Sequence, residues 1–286
     1  MSTTSDDLDL FTPLFKYFRR LPEINCFKEA YSIETHPTLF EHCPITLTID
    51  VDPSLGLQPI TTWSLYSCKF SDGLYFLSNS FTSAGQRQWI DRCINIYPRQ
   101  DKTNLGDNSN NQHLARIRWA TLGYHYDWTN KIYKQGDHTK LPNELAQLSE
   151  TIVKVISSNT NCPMMQPEAA IVNYYHINST LCAHTDHSEY DALTKPLISF
   201  SFGNSAVFLI GGHTKSECKP SPILLRTGDI ILMTGASRLC FHAIPRILSD
   251  PLLNDILYTN MDDNDKVCWS YIHDKRININ LRQVYA

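Results

Sequence analysis

Between residues 8 and 21 the apolar side chains Leu10, Phe11, Leu14, Phe15, Phe18 and Leu21 recur at three- and four-residue spacing, with Lys16, Arg19 and Arg20 opposite them. That period predicts an amphipathic helix, Pro13 in its first turn, docked on a core by its aromatic stripe. The following stretch has no period. Pro37, Pro44, Pro53 and Pro59 interrupt it, so residues 31–59 read as a connector laid over the surface. Alternation from Trp63 to Phe76 predicts strands, and Trp89, Ile90, Cys93, Ile94 and Tyr97 mark one side of a helix over 84–97. Residues 100–112, rich in Asn and Asp around Gly106, read as a loop. A second amphipathic helix is predicted over 141–155, starting after Pro142, with Leu145, Leu148, Ile152 and Val155 on one face.

From Ala169 onward the chain changes to short strands. Runs at 170–175, 197–202, 206–210, 223–225, 230–233 and 277–284, rich in Ile, Leu, Val, Phe and Tyr, are punctuated by Gly203, Gly211-Gly212 and Gly228-Asp229. Many short strands between turns predict a sandwich or jelly-roll barrel. The expected class is therefore α+β. Residues 1–168 form an N-terminal helical and strand extension on a barrel core of residues 169–286, as two domains or one continuous domain.

Composition narrows the setting. With 42% hydrophobic and 19% charged residues the chain has material for a large core. No apolar run is long enough to span a bilayer, and the first ten residues, with Asp6, Asp7 and Asp9, lack the apolar segment of a secretory leader. Nine cysteines lie singly, with no C-x-x-C, which points to free thiols in a reducing intracellular compartment: nucleus, cytoplasm or mitochondrion.

The net charge of −4 announces no polyanion partner, but its distribution is uneven. Residues 84–140 hold nine Lys or Arg against five Asp or Glu, whereas residues 1–83 hold five against ten, so any nucleic-acid groove belongs to the middle of the chain. There Trp119, Tyr124, Tyr126 and Trp128 sit among Arg116, Arg118 and His125. Aromatics interleaved with cations can stack bases and contact phosphates. A core strand with its aromatics turned inward satisfies the same pattern.

The candidate chemistry begins at His184-Thr185-Asp186. In a strand, residues i and i+2 share a face, so the imidazole and the carboxylate can approach one ion while Thr185 points away. If His242 arrives from a later strand, two imidazoles and one carboxylate occupy one face of an iron(II) octahedron and leave three positions open. H-x-D alone is common by chance. The final strand adds a second constraint, because Arg276, Asn278, Asn280 and Arg282 alternate with Ile277, Ile279 and Leu281. If the apolar face is packed, the guanidinium face needs an anion, and a dicarboxylate suits two arginines. A solvent-exposed edge strand carries the same pattern.

Together, Asn173-Tyr174-Tyr175, His184-x-Asp186, the strand from Pro196 to Gly203, His242 and the ending Arg276-x-Asn278-x-x-x-Arg282 resemble the AlkB family of iron(II)- and 2-oxoglutarate-dependent nucleic-acid dioxygenases. The resemblance extends to its homologue 1 branch and touches most of the chain. It implies a double-stranded β-helix with His184, Asp186 and His242 as iron ligands and catalytic centre. It implies that Arg276, assisted by Tyr175, pairs with the distal carboxylate of 2-oxoglutarate. Arg282 would then lie near the carboxylate beside the keto group, with Asn173 and Asn278 completing the pocket. The reaction implied consumes O2, converts 2-oxoglutarate to succinate and CO2, and hydroxylates an N-methyl group that leaves as formaldehyde.

The partner implied is methylated DNA, notably 6-methyladenine, or tRNA, its base unpaired or flipped; no membrane is involved and the enzyme is expected as a monomer. Trp119, Tyr124 and Tyr126 are the candidates for a stacking lid, and Arg116, Arg118, Lys131 and Lys134 for backbone contacts. The position two after the metal aspartate is acidic in the bacterial direct-repair enzymes and is Ser188 here. That change weakens the case for cationic lesions and leaves room for neutral 6-methyladenine, tRNA bases or 5-methylcytosine. Two alternatives stay open: a dioxygenase acting on a protein side chain such as a methylated histone tail, and a nucleic-acid-binding module without turnover.

Overall fold

The computed structural model of the protein describes residues 8–100, 102–105, 111–189, 194–257 and 269–285. Its strands are β1 (Phe40–His42), β2 (Ser64–Cys68), β3 (Leu74–Ser78), β4 (Lys102–Thr103), β5 (Trp119–Asp127), β6 (Ile132–His138), β7 (Ala169–His176), β8 (Leu181–His184), β9 (Leu197–Gly203), β10 (Ser205–Ile210), β11 (Ser221–Leu225), β12 (Ile230–Met233), β13 (His242–Leu248) and β14 (Lys275–Arg282). Helices α1 (Phe11–Arg20), α2 (Glu23–Glu29), α3 (Ser83–Asp91), α4 (Tyr97–Gln100), α5 (Asn143–Asn159) and α6 (Leu253–Leu257) pack around them.

Strands β7 to β14 divide between two antiparallel sheets, one containing β12-β9-β14-β7 and the other β11-β10-β13-β8. This interleaving is the double-stranded β-helix. The larger sheet continues outward, through β3, β2 and β1 on one side and through β5 and β4 on the other, with β6 hairpinned on β5. The N-terminal extension therefore hydrogen-bonds directly to the barrel.

Three apolar layers explain why the strands run almost continuously hydrophobic. Inside the barrel, Phe208, Ile231, Met233 and Ile244 face one another. Outside the larger sheet, Leu145, Leu148 and Ile152 of α5 and Trp89 of α3 share a core with Val172, Phe200, Ile277 and Ile279. Outside the smaller sheet, Phe11 and Phe18 of α1 pack with Val207, Leu209 and Ala243. The aromatic stripe thus docks α1 as expected, and each of these two fully buried phenylalanines contributes roughly 1.5–3 kcal/mol. Because both faces of each sheet are covered, β10 and β12 are buried at every position.

The helix expected over 84–97 is interrupted by a π-turn at Arg92–Ile96 before α4. Pro98 has no N–H to give the Cys93 carbonyl in a five-residue turn, and the Tyr174 hydroxyl donates to that carbonyl instead, at 2.6 Å. Within the expected loop 100–112, Lys102 and Thr103 pair with Thr121 and Ala120 at the sheet edge. Residues 101 and 106–110 of that loop, and residues 1–7 of the leader region, lie outside the described residues. The eight described cysteines are free thiols; Cys268 lies outside the described residues. Among the described residues no helix is long and apolar enough to cross a membrane.

Candidate active site

His184 ends β8 and is the direct register partner of His242, which begins β13. The rings lie 4.3 Å apart between centroids. The Asp186 carboxylate completes the cluster: one oxygen is 3.8 Å from His184 Nε2 and the other 3.7 Å from His242 Nε2. One donor atom from each residue lies within 4.8 Å of the other two. Both histidines are oriented by the same device. The Nδ1 of His184 donates to the Cys182 carbonyl at 2.9 Å, and the Nδ1 of His242 donates to the Cys240 carbonyl at 3.1 Å. A carbonyl only accepts, so Nδ1 carries the hydrogen and Nε2 turns its lone pair toward the shared point.

The charge states suit a divalent ion. Burial, reinforced by His184, pushes His242 down to about 4, so it is a neutral ligand at neutral pH. Burial alone would raise the Asp186 carboxyl, but Arg282, His242, His184 and Arg238 together hold it well below the usual carboxylate range. Two imidazoles and one carboxylate on one side of a point are the donor set that iron(II) oxygen chemistry requires.

One local expectation is corrected. Asp186 is not on the same strand face as His184, because β8 ends at His184. Beyond it the Asp186 carbonyl takes the Arg238 guanidinium as its hydrogen-bond partner, so the carboxylate reaches the site from a loop.

An inner pocket runs from this cluster to Arg276, past Tyr175, Ser199, Phe208, Met233 and Asn278. The strand carrying Arg276 is no edge: β14 pairs with β7 on one side and β9 on the other, Arg276 opposite Tyr175 and Gly203. Arg276 is 1% exposed, and it donates only to the Asn204 carbonyl at 3.1 Å and the Ser201 hydroxyl at 2.7 Å. Its Nε has no partner, and among the described residues it makes no ion pair. Burial pushes it down to about 10, still a cation at neutral pH. A buried cation held by neutral groups fits an incoming carboxylate. Burial also pushes the Tyr175 phenol up to about 12, keeping it a donor beside that guanidinium.

A larger outer cavity shares Leu181, His184, Asp186 and Asn280 with the inner pocket. Tyr126, Trp128 and Lys131 wall it from the β5–β6 hairpin, and His187 and Ser188 from the loop after β8. The Tyr126 hydroxyl and Ser188 Oγ are 3.2 Å apart. Trp128 is 46% exposed, edge-on to Tyr126 at 4.8 Å and tilted against Trp119 at 5.4 Å. Asp127 shapes the hairpin by accepting from the Thr129 and Asn130 amides, both at 3.0 Å.

With this geometry in view, comparison with known proteins decides the family. Residues 73–282 match the family described as the 2OG-Fe(II) oxygenase superfamily. The chain belongs to that superfamily. Among curated relatives it is 34% identical to the mouse nucleic acid dioxygenase ALKBH1, over 81% of this chain and 69% of that one. It is 44% identical to the Schizosaccharomyces pombe tRNA demethylase abh1, over 59% of this chain and 53% of the relative. It is 39% identical to the Arabidopsis thaliana DNA N(6)-methyladenine demethylase ALKBH1A, over 60% and 50% respectively. The solved structure of OsALKBH1 superposes with a TM-score of 0.57 at 21% identity, covering 74% of this chain and 96% of that one, which is likeness of fold.

In this dioxygenase the expected site residues separate into groups. Tyr175, Arg276 and Asn278 line the inner pocket with the His184–Asp186–His242 cluster. Asn173, Arg282, Ser188 and Tyr126 line the outer cavity. Trp119 stands behind Trp128. Tyr124 packs on His138 and Tyr285, at 5.1 and 4.9 Å. Arg116 and Arg118 are exposed and line neither cavity, while Lys134 is committed to Asp127 at 2.7 Å.

Two site residues escaped the sequence reading. Glu189 and Arg238 are buried and joined at 2.8 Å, and Glu189 also accepts from Arg282 at 2.8 Å. Burial alone would raise the Glu189 carboxyl, but Arg282 and Arg238 bring it below its ordinary value. The available signal was a charged residue just after Asp186 and another just before His242, which by itself reads as surface.

Proposed function

We propose that this dioxygenase removes N-methyl groups from bases in unpaired DNA, 6-methyladenine first among them, or in tRNA, releasing formaldehyde, succinate and CO2. The observation that carries the reading is the outer cavity. It opens onto the His184–Asp186–His242 cluster between Tyr126 and Trp128 on one side and Ser188 on the other, with Lys131 at the rim. The printed activities of the relatives, on nucleic acid, tRNA and DNA N(6)-methyladenine, support it.

Iron(II) bound with 2-oxoglutarate and O2 supplies the oxidation of the methyl carbon. The protein's share is holding and excluding. His184, Asp186 and His242 would hold the ion. Arg276, with the Tyr175 hydroxyl beside it, would bind the distal carboxylate, and Asn278 stays fixed by donating to Ser199 Oγ at 2.7 Å and the Phe200 carbonyl at 3.0 Å. Arg282, 3.7 Å from the Asp186 carboxylate, would meet the other end of the cosubstrate. Asn173 lies across the ladder from Asn278 and would border the same space.

A base must leave its stack to enter, at a cost of a few kcal/mol, which favours unpaired substrates. Trp128 and Tyr126 would stack on it, and Lys131, with Arg116 and Arg118 further out, would follow the backbone. Ser188 is a neutral hydroxyl already facing Tyr126, and Glu189, the nearby carboxylate, is engaged by two arginines. With no free carboxylate among the described rim residues, the cavity favours a neutral methylated base over a cationic one. Residues 1–168 would then supply the recognition hairpin and 169–286 the dioxygenase core of an intracellular monomer.

The test is nucleoside mass spectrometry of single-stranded methylated DNA and of tRNA, incubated with iron(II), ascorbate and 2-oxoglutarate. Loss of 6-methyladenine or of a methylated tRNA base, with formaldehyde release, is expected. Turnover of a methylated histone peptide with no change in either nucleic acid would overturn the reading.

A further inference from the structure

The dioxygenase holds four ionised side chains in one buried cluster beside its proposed iron site. Asp186 and Glu189 come from the loop after β8, Arg238 from the 3-10 turn Gly235–Leu239 that precedes His242, and Arg282 from β14. Glu189 spans the two cations. One of its oxygens is 2.8 Å from Arg238 Nη2 and the other 2.8 Å from Arg282 Nη1, with side-chain exposures of 2%, 1% and 5% for Glu189, Arg238 and Arg282. Arg238 also donates to the Asp186 backbone carbonyl, and Arg282 Nη1 stands 3.7 Å from the Asp186 carboxylate. The three segments that carry the metal cluster and the cosubstrate arginine are thus cross-tied through a single carboxylate.

The charges make the tie consequential. Two guanidinium groups and two carboxylates balance, but a metal ion needs the Asp186 oxygens free to coordinate. Among the described residues, the two buried arginines would without Glu189 have only Asp186 as a nearby anion and would compete with the ion for it. We infer that Glu189 is a positioning residue, which keeps the Asp186 carboxylate available to the metal by taking up the arginine charge beside it. The inference rests on the metal assignment proposed above and adds to it a residue outside the ligand set.

Groups that orient ligands in this way typically change metal affinity by about 10–100-fold when replaced. The test is Mn(II) binding to the metal-free full chain by electron paramagnetic resonance of the free ion, with the thermal unfolding midpoint measured in parallel. Wild-type protein that binds no Mn(II), where His184→Ala is equally inert, would fail the metal assignment itself.

Given wild-type binding, Glu189→Gln is expected to weaken Mn(II) about 10–100-fold. Glu189→Gln combined with Arg238→Gln, which restores the charge balance, is expected to recover at least tenfold of a hundredfold loss. A folded Glu189→Gln protein that binds Mn(II) within twofold of wild type overturns the inference, even if its unfolding midpoint falls. So does a double variant no better than the single one. Should the single variant not fold, the charge-balanced double variant decides: affinity within about tenfold of wild type supports the role, and any greater loss refutes it.

Discussion

The inner pocket and the outer cavity meet at His184 and Asp186 yet are built by different means. The inner pocket is walled mainly by ladder positions of the two barrel sheets, and Arg276, Asn278 and Tyr175, on strands paired on both sides, are all nearly inaccessible. The outer cavity shares strands β7 and β14, through Ile171, Asn173, Asn280 and Arg282, but its remaining wall is a two-stranded hairpin and a loop, and its aromatic rim at Trp128 is half in solvent. Strand register sets most of the first to the accuracy of a hydrogen-bond ladder, whereas turn chemistry at Asp127 and a few ring contacts set the rim of the second. Under the proposed function the division puts cosubstrate binding, which tolerates one geometry, in the rigid part and base recognition in the part open to variation.

The comparison is most severely tested at the shared residues. Replacing His184 with alanine removes a ligand that serves both spaces, and formaldehyde release is expected to fall below detection. Surviving turnover would show that the two cavities do not converge on a metal. Arg276→Ala should act on the inner pocket alone. Losing a buried charge-assisted pair of about 2–3 kcal/mol should raise the KM for 2-oxoglutarate by roughly 30–150-fold with oligonucleotide affinity unchanged.

Trp128→Ala is the outer counterpart. Loss of one stacking partner, worth about 1–3 kcal/mol, should weaken binding of a methylated single strand by roughly 5–150-fold and leave the KM for 2-oxoglutarate where it was. Trp119→Ala and Tyr124→Ala should matter less, since neither ring lines the cavity. A shift in cosubstrate KM with Trp128→Ala would erase the distinction.

The smallest effect on turnover is expected from Asp229→Asn, at the turn before β12. Burial pushes the Asp229 carboxyl up to about 7, against the opposing pull of the Arg226 amide and guanidinium. The folded protein thus holds a proton that the unfolded chain releases near 3.8, so the contribution of Asp229 to stability is fully present below about pH 4 and is lost as pH rises through about 7. The decline should be on the order of a few kcal/mol and should vanish in Asp229→Asn, read as the unfolding midpoint against pH. A flat wild-type profile would show that the interior behind Arg276 is wetter than its burial implies.

Legibility followed the same divide. Six of the eight barrel strands were readable because both faces are covered and apolar runs between glycine turns have few other uses, whereas β8 and β13 were not among the expected runs. The His184–Asp186–His242 cluster was readable from residue type, although Asp186 reaches it from a loop and not by alternation, and Arg276 was readable as a cation on the polar positions of an alternating strand. The hairpin was misjudged in detail: Trp119 and Tyr124 match the base-stacking composition as well as Trp128 does. Ring direction at a bulged, half-exposed pairing depends on neighbours far along the chain, such as Tyr285 against Tyr124. Glu189 and Arg238 were invisible for a related reason, since nothing local distinguishes a buried charge from a solvated one.

By itself, the sequence determined the class of fold, the position of many of its strands and the residue types of a candidate metal cluster, because period and residue type depend on local stereochemistry and intrinsic ligand preference. Tertiary structure decided the rest. It put Asp186 on a loop, made β14 an inner strand, left Arg276 without an ion pair, and tied Glu189 to two arginines from distant segments. Each of those outcomes depends on which groups share a low-dielectric interior, a property of packing between remote parts of the chain.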